Sequence, residues 1–415
     1  MTSPTQTILD HVGGMRADMV ALLADLVAAE SPSDAPETQA GPIGILYEQF
    51  DRLGYHVRHT PGARTGGYLI ARHPAAGERP TQLLLGHCDT VWAVGTLAEM
   101  PLEVQGDILR GPGSYDMKAG LVQGLFALLA LRELGLEPPL APVFLINTDE
   151  EIGSIESRPV IEQLARESAR ALVLEPAAGP DGALKTARKG TGDFEIVVHG
   201  RAAHAGLEPE KGVSAILGMA EIVRTLATLN DYPRGVSVSV GLISGGLRTN
   251  IIPPECRAVV DVRAVTVADA ERLEQAIRAL PAPLPGTTVT VSGGFDRAPL
   301  ERTPRNAALW ELARDAGAEM GLTLTETAVG GGSEGCAARG PASGHPRRPR
   351  PGRRRRACPP RTRHHLQDGR AQRPAGGAAD AGLAAHGRRE AMTRLTWAPI
   401  TLRRRTPFRV SYGAS

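Results

Sequence analysis

Cysteine is scarce and scattered in this 415-residue chain: Cys88, Cys256, Cys336 and Cys358 stand far apart, with no CxxC pair among them. That spacing excludes a disulfide framework and a structural zinc knuckle, and it suits a reducing, cytoplasmic setting. Long apolar runs are missing too. No stretch approaches membrane-spanning length, and the N-terminus "MTSPTQTILDHVGGMRADMV" lacks the basic-then-apolar order of a signal peptide. Internal repeats are absent. What remains is 42% hydrophobic residues, enough for two domains with real cores.

The small net charge of +2 hides an asymmetry. From Pro341 to the end there are 18 arginines against Asp368, Asp380 and Glu390, a balance of +15 that leaves −13 for residues 1–340. Between Pro341 and Arg373 the one large apolar residue is Leu366, so this stretch cannot offset the entropy of ordering itself. Two readings fit a basic arm on an acidic body. One is a salt-sensitive, non-specific nucleic-acid contact, although residues 341–373 contain no aromatic to stack on bases. The other is low-complexity sequence translated from a shifted reading frame.

Before that point the texture is ordered. Apolar strand-like runs "TQLLLGH" (81–87), "APVFLINTDEE" (141–151) and "ALVLEP" (171–176) alternate with a helical pattern over 117–134. Continuous apolar strands separated by helices predict a mostly parallel sheet covered on both faces, a three-layer α/β unit. From residue 193 to 294, alternating strands and two helices predict a smaller α+β unit, and 303–321 reads as a helix returning to the first. The expected division is a catalytic part over 1–182, an inserted dimerisation domain over 183–295, a return over 296–340 and the anomalous tail over 341–415.

The ionisable residues fall where these strands end. His87 and Asp89 leave "LLLGHCDT", Asp116 precedes a helix in "GPGSYDMKAG", Glu150 and Glu151 end "VFLINTDEE", and Glu175 ends "ALVLEP". Parallel strands share one C-terminal edge, where ligand crevices form, so one imidazole and several carboxylates converge there. Taken singly, His87 reads as a buried core histidine, Asp116 as a helix cap, Glu175 as a lysine partner and Glu150–Glu151 as a solvated turn. Together they have the ligand chemistry of a two-metal hydrolytic site. Cys88, between His87 and Asp89 on an alternating strand, is expected to point away from them into the core.

The motifs "GHCDTV", "GPGSYDMKAGLV", "TDEEIGS", "GRAAHAG" and "TNIIPPECRAVVDVR" stand in the order found in the dizinc aminoacylase and carboxypeptidase family, which this chain resembles over about residues 10–336. The "GPGSYDMK" form is most similar to the glutamate carboxypeptidase branch; acetylornithine deacetylase and succinyl-diaminopimelate desuccinylase are other members. The resemblance implies two Zn2+ ions, with Co2+ or Mn2+ as substitutes. It implies that His87 and Glu175 bind one ion, that Asp116 bridges both, that Glu151 binds the other, and that Glu150 is the general base. Asp89 would orient His87. It further implies a homodimer through the inserted domain, with His204 reaching the partner's site to stabilise an oxyanion and Asn250 and Arg263 holding a substrate carboxylate.

The likeness stops near Cys336, within "GGGSEGCAARG". The family's last metal-binding histidine is not identifiable, and His345, His364 and His365 are candidates by position only. Residues 392–415 carry an alternating strand pattern and resemble the N-terminal strand of dipeptide epimerases of the enolase superfamily, as a frame shift into a neighbouring gene would produce. The expected function is therefore hydrolysis of the amide bond of N-acyl amino acids or small peptides, impaired by loss of the last ligand. The alternatives are a non-catalytic dimeric scaffold or a basic-tail nucleic-acid binder.

Overall fold

The computed structural model describes residues 4–332 and the backbone of a short strand, Arg409–Ser411. Cys336, Cys358, His345, His364, His365 and all but that strand of the 341–415 tail lie outside the described residues.

Three helices lead in, α1 (Pro4–Gly14), α2 (Arg16–Ala28) and α3 (Ala40–Arg52). Strands β1 (His56–Thr60), β2 (Tyr68–Arg72) and β3 (Thr81–His87) follow, then the one-turn helix α4 (Thr96–Glu99) and the hairpin of β4 (Glu103–Gln105) with β5 (Ile108–Arg110). Next come α5 (Ala119–Glu133), β6 (Ala141–Asn147), α6 (Arg158–Glu167) and β7 (Ser168–Val173). Five of these strands form one sheet in the order β1-β2-β6-β3-β7.

The central strand β6 is buried at all seven positions, as its continuous apolar run requires. Its residues divide between two faces because successive side chains alternate. Phe144 and Ile146, with Leu84 of β3, pack among Leu26 of α2, Leu46 and Phe50 of α3 and Leu121 of α5. Val143 and Leu145, with Leu83 and Leu85, pack on Ile161 and Leu164 of α6. The result is a helix–sheet–helix sandwich, the expected three layers. Parallel pairing holds for β6 with β3 and β3 with β7, whereas β1–β2 and β2–β6 are antiparallel. The connection from β1 to β2 is too short for a crossover and can only reverse the chain.

After β8 (Leu184–Arg188) a second sheet begins, with β9 (Gly190–His199), β10 (Ser237–Gly245), β11 (Glu255–Ala264) and β12 (Thr288–Arg297) in the antiparallel order β10-β11-β9-β12. Helices α7 (Ala215–Ala227) and α8 (Val267–Arg278) cover one face, burying Met219, Ile222, Leu273 and Ile277 against Phe194, Ile196, Val260 and Val262. Both are started by side chains that satisfy free helix-end N–H groups: Ser214 accepts from Leu217 N–H and Thr266 from Asp269 N–H. The chain returns through α9 (Pro304–Glu319), capped by Thr303, to β13 (Glu326–Val329), which runs parallel to β8. The strand Arg409–Ser411, β14, lies parallel to β5.

The parallel strands β3, β6 and β7 bring their C-terminal ends to one edge: His87 sits opposite Asn147, and Leu174, one residue past β7, bonds back to Leu85. The turn before α5 reaches this edge because two glycines permit it. Gly113 has φ +66°, and a Cβ there would lie 2.4 Å from the Thr90 methyl; a Cβ on Gly120 would lie 1.9 Å from the Leu174 carbonyl oxygen. Replacing Gly120 by Ala should therefore push α5 off the Leu174–Glu175 segment and cost about 1–3 kcal/mol, the range of core overpacking. Urea unfolding of the metal-free protein measures this; an unchanged midpoint would refute the close approach.

Candidate metal centre

His87 ends β3 fully buried, and the local chemistry fixes its ring. Its Nδ1 lies 3.0 Å from the Asp89 backbone oxygen and 3.3 Å from Asp89 Oδ1. A carbonyl oxygen can only accept, so Nδ1 carries a hydrogen, and in the neutral ring the Nε2 lone pair is left as a ligand atom. That atom faces Asp116 Oδ1 at 3.3 Å and Glu175 Oε1 at 3.9 Å. Neither His87 Nε2 nor Asp116 Oδ1 has a hydrogen-bond partner, although both are buried. Buried polar atoms are nearly always paired, so two atoms 3.3 Å apart whose geometry makes no hydrogen bond are poised to share a cation as well as a proton.

The carboxylates around them are set by backbone. Asp116 sits in the turn Ser114–Lys118 with extended rather than helical backbone (φ −113°, ψ 102°), and α5 has no side-chain cap. The helix-cap reading of Asp116 is thus removed. Asp89 is gripped by the Ser33 hydroxyl (2.6 Å) and by the backbone N–H groups of Glu150 (3.3 Å) and Glu151 (3.2 Å), which ties the end of β3 to the loop after β6. Two sets of side chains offer ligand atoms within 4.8 Å of one another: His87, Glu150 and Glu175, and His87, Asp116 and Glu151. All five residues expected at the rim therefore meet in one cluster. Glu150, expected as a base only, stands among the ligand atoms as well.

Electrostatics carry the mark of uncompensated negative charge. Burial, with Asp116 and Glu150 nearby, pushes the Glu151 carboxyl up to about 8, and burial with Asp116 pushes Glu175 up to about 7. For His87, burial opposes the charged form, but the carboxylates of Asp116 and Asp89 outweigh it and hold the imidazole well above its ordinary range. Asp116 is pulled down: burial acts against ionisation and the facing His87 overcomes it. One imidazole and four carboxylates form a donor set that fits divalent zinc, cobalt or manganese. Cys88 is buried, and burial raises its thiol to about 12, an inert core cysteine as expected.

Sequence reasoning missed several basic residues. Arg297, at the end of β12, donates to the Glu150 backbone oxygen at 2.7 Å and pairs with its Oε1 at 2.9 Å. Arg188, buried on β8, donates to the carbonyls of Gly331 and Gly332 and, with Lys185, places positive charge near Asp116 and Glu175. None of the three sits in a motif, and no local signal in the sequence marks them.

Of the residues expected to bind substrate, His204 and Asn250 are not brought to this cluster within one chain, whereas Arg263 lies at the end of the second sheet that reaches it. His204 is exposed, with Nδ1 accepting from Gly206 N–H, and lies beside Ile251; Asn250 accepts from Ala205 N–H through its backbone oxygen. Both sit past the β9–β11 end where His199 pairs with Glu255. Arg263 lies at the opposite end, across Thr191 from Arg297, with its guanidinium on both oxygens of Asp261. The two ends of the ten-residue strand β11 are roughly 30 Å apart.

A three-layer α/β unit with a carboxylate-rich cluster able to hold metal at its strand ends, joined to an antiparallel α+β unit, defines the class. Within it, residues 186–293 match the family described as Peptidase dimerisation domain. The chain is 30% identical over 247 residues to carboxypeptidase G2 of Pseudomonas sp. (strain RS-16), covering 59% of each protein. It therefore spans about three fifths of that relative's length. In fold it is similar to aminopeptidase PepT from Bacillus cereus (TM-score 0.65, 21% identity, 77% of this chain and 86% of that one). It also matches the Bacillus subtilis YXEP protein, described as a dinuclear metal-binding peptidase of the M20 family (TM-score 0.56, 16% identity, 78% and 85%). The likeness expected from the motifs is thus met again in sequence, over the dimerisation-domain match and part of carboxypeptidase G2, and in fold.

The raised carboxyls give a pH dependence of unusual sign. Glu151 and Glu175 retain protons in the folded chain at pH values where their ordinary value of 4.5 has them ionised in the unfolded one. The folded state binds more protons across that window, so stability falls as pH rises from about 5 to 8. The elevated His87 acts in the same direction; Asp116 opposes it only in strong acid. Chelator-treated protein should melt at a lower temperature at pH 8 than at pH 5.5, and divalent ions should stabilise it more at pH 8. A melting temperature that rises over this range without metal would contradict the cluster's electrostatics.

Proposed function

We propose that this protein is a zinc-dependent hydrolase of the glutamate carboxypeptidase type, cleaving the amide bond that joins an acyl group to a C-terminal, often acidic, amino acid. The observation that carries the reading is the facing pair of unpartnered atoms, His87 Nε2 and Asp116 Oδ1, ringed by Glu150, Glu151 and Glu175. In this reading His87 and Glu175 hold one ion, Glu151 the other, and Asp116 is shared. Divalent ions bound there supply Lewis acidity toward the scissile carbonyl and toward water. Glu150 takes a proton from the attacking water and returns it to the leaving nitrogen, a role worth about 10²–10⁴ in rate. Arg297 fixes the Glu150 carboxylate from one side, and Asp89 keeps the His87 ring in the tautomer that leaves Nε2 free.

A homodimer supports the rest of the site. His204 and Asn250 lie at the far end of the second sheet from the cluster, so a second copy is what brings them to it, where His204 steadies the developing oxyanion and Asn250 with Arg263 receives the substrate's carboxylate. The face that offers itself for pairing is apolar and open: Leu242 and Ile243 on β10, Leu247 just after it, and Ile216 and Leu217 on α7 are all exposed. No helix among the described residues is long and apolar enough to cross a membrane, and Cys88 and Cys256 are free thiols, which favours a reducing cytoplasm. The second ion's last ligand falls beyond the point where the family likeness stops, so this chain is proposed to be an impaired member.

Chelation and reconstitution test this. The parent chain should take up Zn2+ and release glutamate from N-acyl-glutamate slowly, in a chelator-sensitive way. Glu150→Gln should reduce release to background while leaving zinc uptake near the parent's. A parent that takes up no ion would end the hydrolase reading in favour of a scaffold, and turnover of about 1–10³ per second, ordinary for enzymes, would overturn the impairment. Leu242→Glu should separately shift the chain toward monomer in sedimentation velocity.

A further inference from the structure

Lys118 is only 1% exposed, in a chain where most lysines and arginines reach water. Its ammonium donates to the carbonyls of Leu26 (2.8 Å) and Ala29 (3.0 Å). These close the last turn of α2, where carbonyl groups lack intrahelical partners and the helix dipole is negative. The same stretch of chain then runs along the strand end that bears His87 and Asp89. Ser31 donates to the Cys88 carbonyl at 2.6 Å and accepts from Thr90 N–H at 3.0 Å, and Ser33 donates to Asp89 at 2.6 Å.

Asp116 has no such support of its own. Its turn is held internally by Ser114 N–H to Gly111 and Lys118 N–H to Gly113. Outward polar anchors from the turn are Lys118 on one side, the Tyr115 hydroxyl on the Ala177 carbonyl on the other, and Met117 Sδ, which accepts from His87 N–H at 3.3 Å. The 3.3 Å approach of Asp116 to His87 thus depends on where those anchors put the turn.

We infer that Lys118 is a positioning residue for ion binding, its buried ammonium fixing the Asp116 turn against the segment that also fixes His87 and Asp89. This rests on the metal-centre reading proposed above. A buried ammonium is costly to desolvate, and an apolar side chain of similar length would fill the space without that cost. A point charge on a flexible stem can meet two carbonyls at a helix end, which a methionine cannot. Groups that orient metal ligands from behind typically change affinity 10–100-fold when removed.

The test compares the full-length parent, Lys118→Met, Lys118→Gln and, as a destabilised control, Leu125→Ala on the buried face of α5. Cobalt titration by calorimetry and thermal melting of the chelated protein are measured for each. Lys118→Met should bind cobalt about 10–100-fold more weakly than the parent, a loss well beyond that of Leu125→Ala at equal or greater destabilisation. Lys118→Gln, which keeps a hydrogen-bond donor, should fall between and serves as the folded variant if Lys118→Met does not fold. Affinity unchanged in the folded Lys118 variants, or lowered no more than in the control, overturns the inference and leaves the metal centre standing. A parent that binds no cobalt removes both.

Discussion

Five carboxylates, those of Asp89, Asp116, Glu150, Glu151 and Glu175, crowd around one buried imidazole, and their mutual repulsion is the constraint to which the rest of the structure answers. Charges this close in a water-poor site interact far more strongly than on a surface, so each needs a partner or a proton. Asp89 spends its charge on the Ser33 hydroxyl and two backbone N–H groups. Glu150 has Arg297. Asp116 and Glu175 share His87 and feel Lys185 and Arg188. Glu151 has none of these as a direct partner and is the carboxyl pushed highest, to about 8. The residue with least protein support is thus the one whose charge most needs an ion.

Holding such a cluster requires backbone to approach backbone. The strand ends of β3, β6 and β7 supply a common edge, but Asp116 comes from a turn that must be pressed onto it. Gly113 against Thr90 and Gly120 against Leu174 remove the Cβ atoms that would prevent this. Lys118 and Tyr115 then pin the turn from its two sides. The second sheet reaches the arrangement through Arg297, at the end of β12, which donates to the Glu150 backbone oxygen. A shift of that sheet against the first would therefore be felt first at the proposed base.

What could be read from the sequence was whatever a short pattern encodes. His87, Glu150–Glu151 and Glu175 follow apolar runs long enough to be strands, and the structure puts them at strand ends. The antiparallel edge of β1 and β2 was hidden because His56–Thr60 is mixed polar and exposed, with no apolar signature. Arg297, Arg188 and Lys118 were hidden for another reason: their partners are 147, 143 and 92 residues away in sequence, beyond what spacing records. Asp116 was legible as a residue but not in its conformation, since it reads as the cap of a helix beginning at Met117 and is instead extended within a turn, with the helix beginning at Ala119.

The two halves of the cluster are unequal in a way that bears on the proposed impairment. His87, Glu175 and Asp116 are all supplied by rigid strand ends and a pinned turn, within a core whose central strand β6 is buried throughout. On the other side stand Glu151, half-buried in the loop after β6, and the glycines Gly331 and Gly332, held by Arg188 just before the likeness to the family stops. Neighbouring α9 buries only Gly317 among its sixteen residues and leaves Leu312 exposed, so little apolar packing steadies this flank. Ion affinity follows both ligand count and the rigidity of what holds the ligands. In the proposed reading, the half built on β3 and β7 would hold an ion with ligands the described residues supply, whereas the half built on Glu151 would need a further ligand and firmer packing.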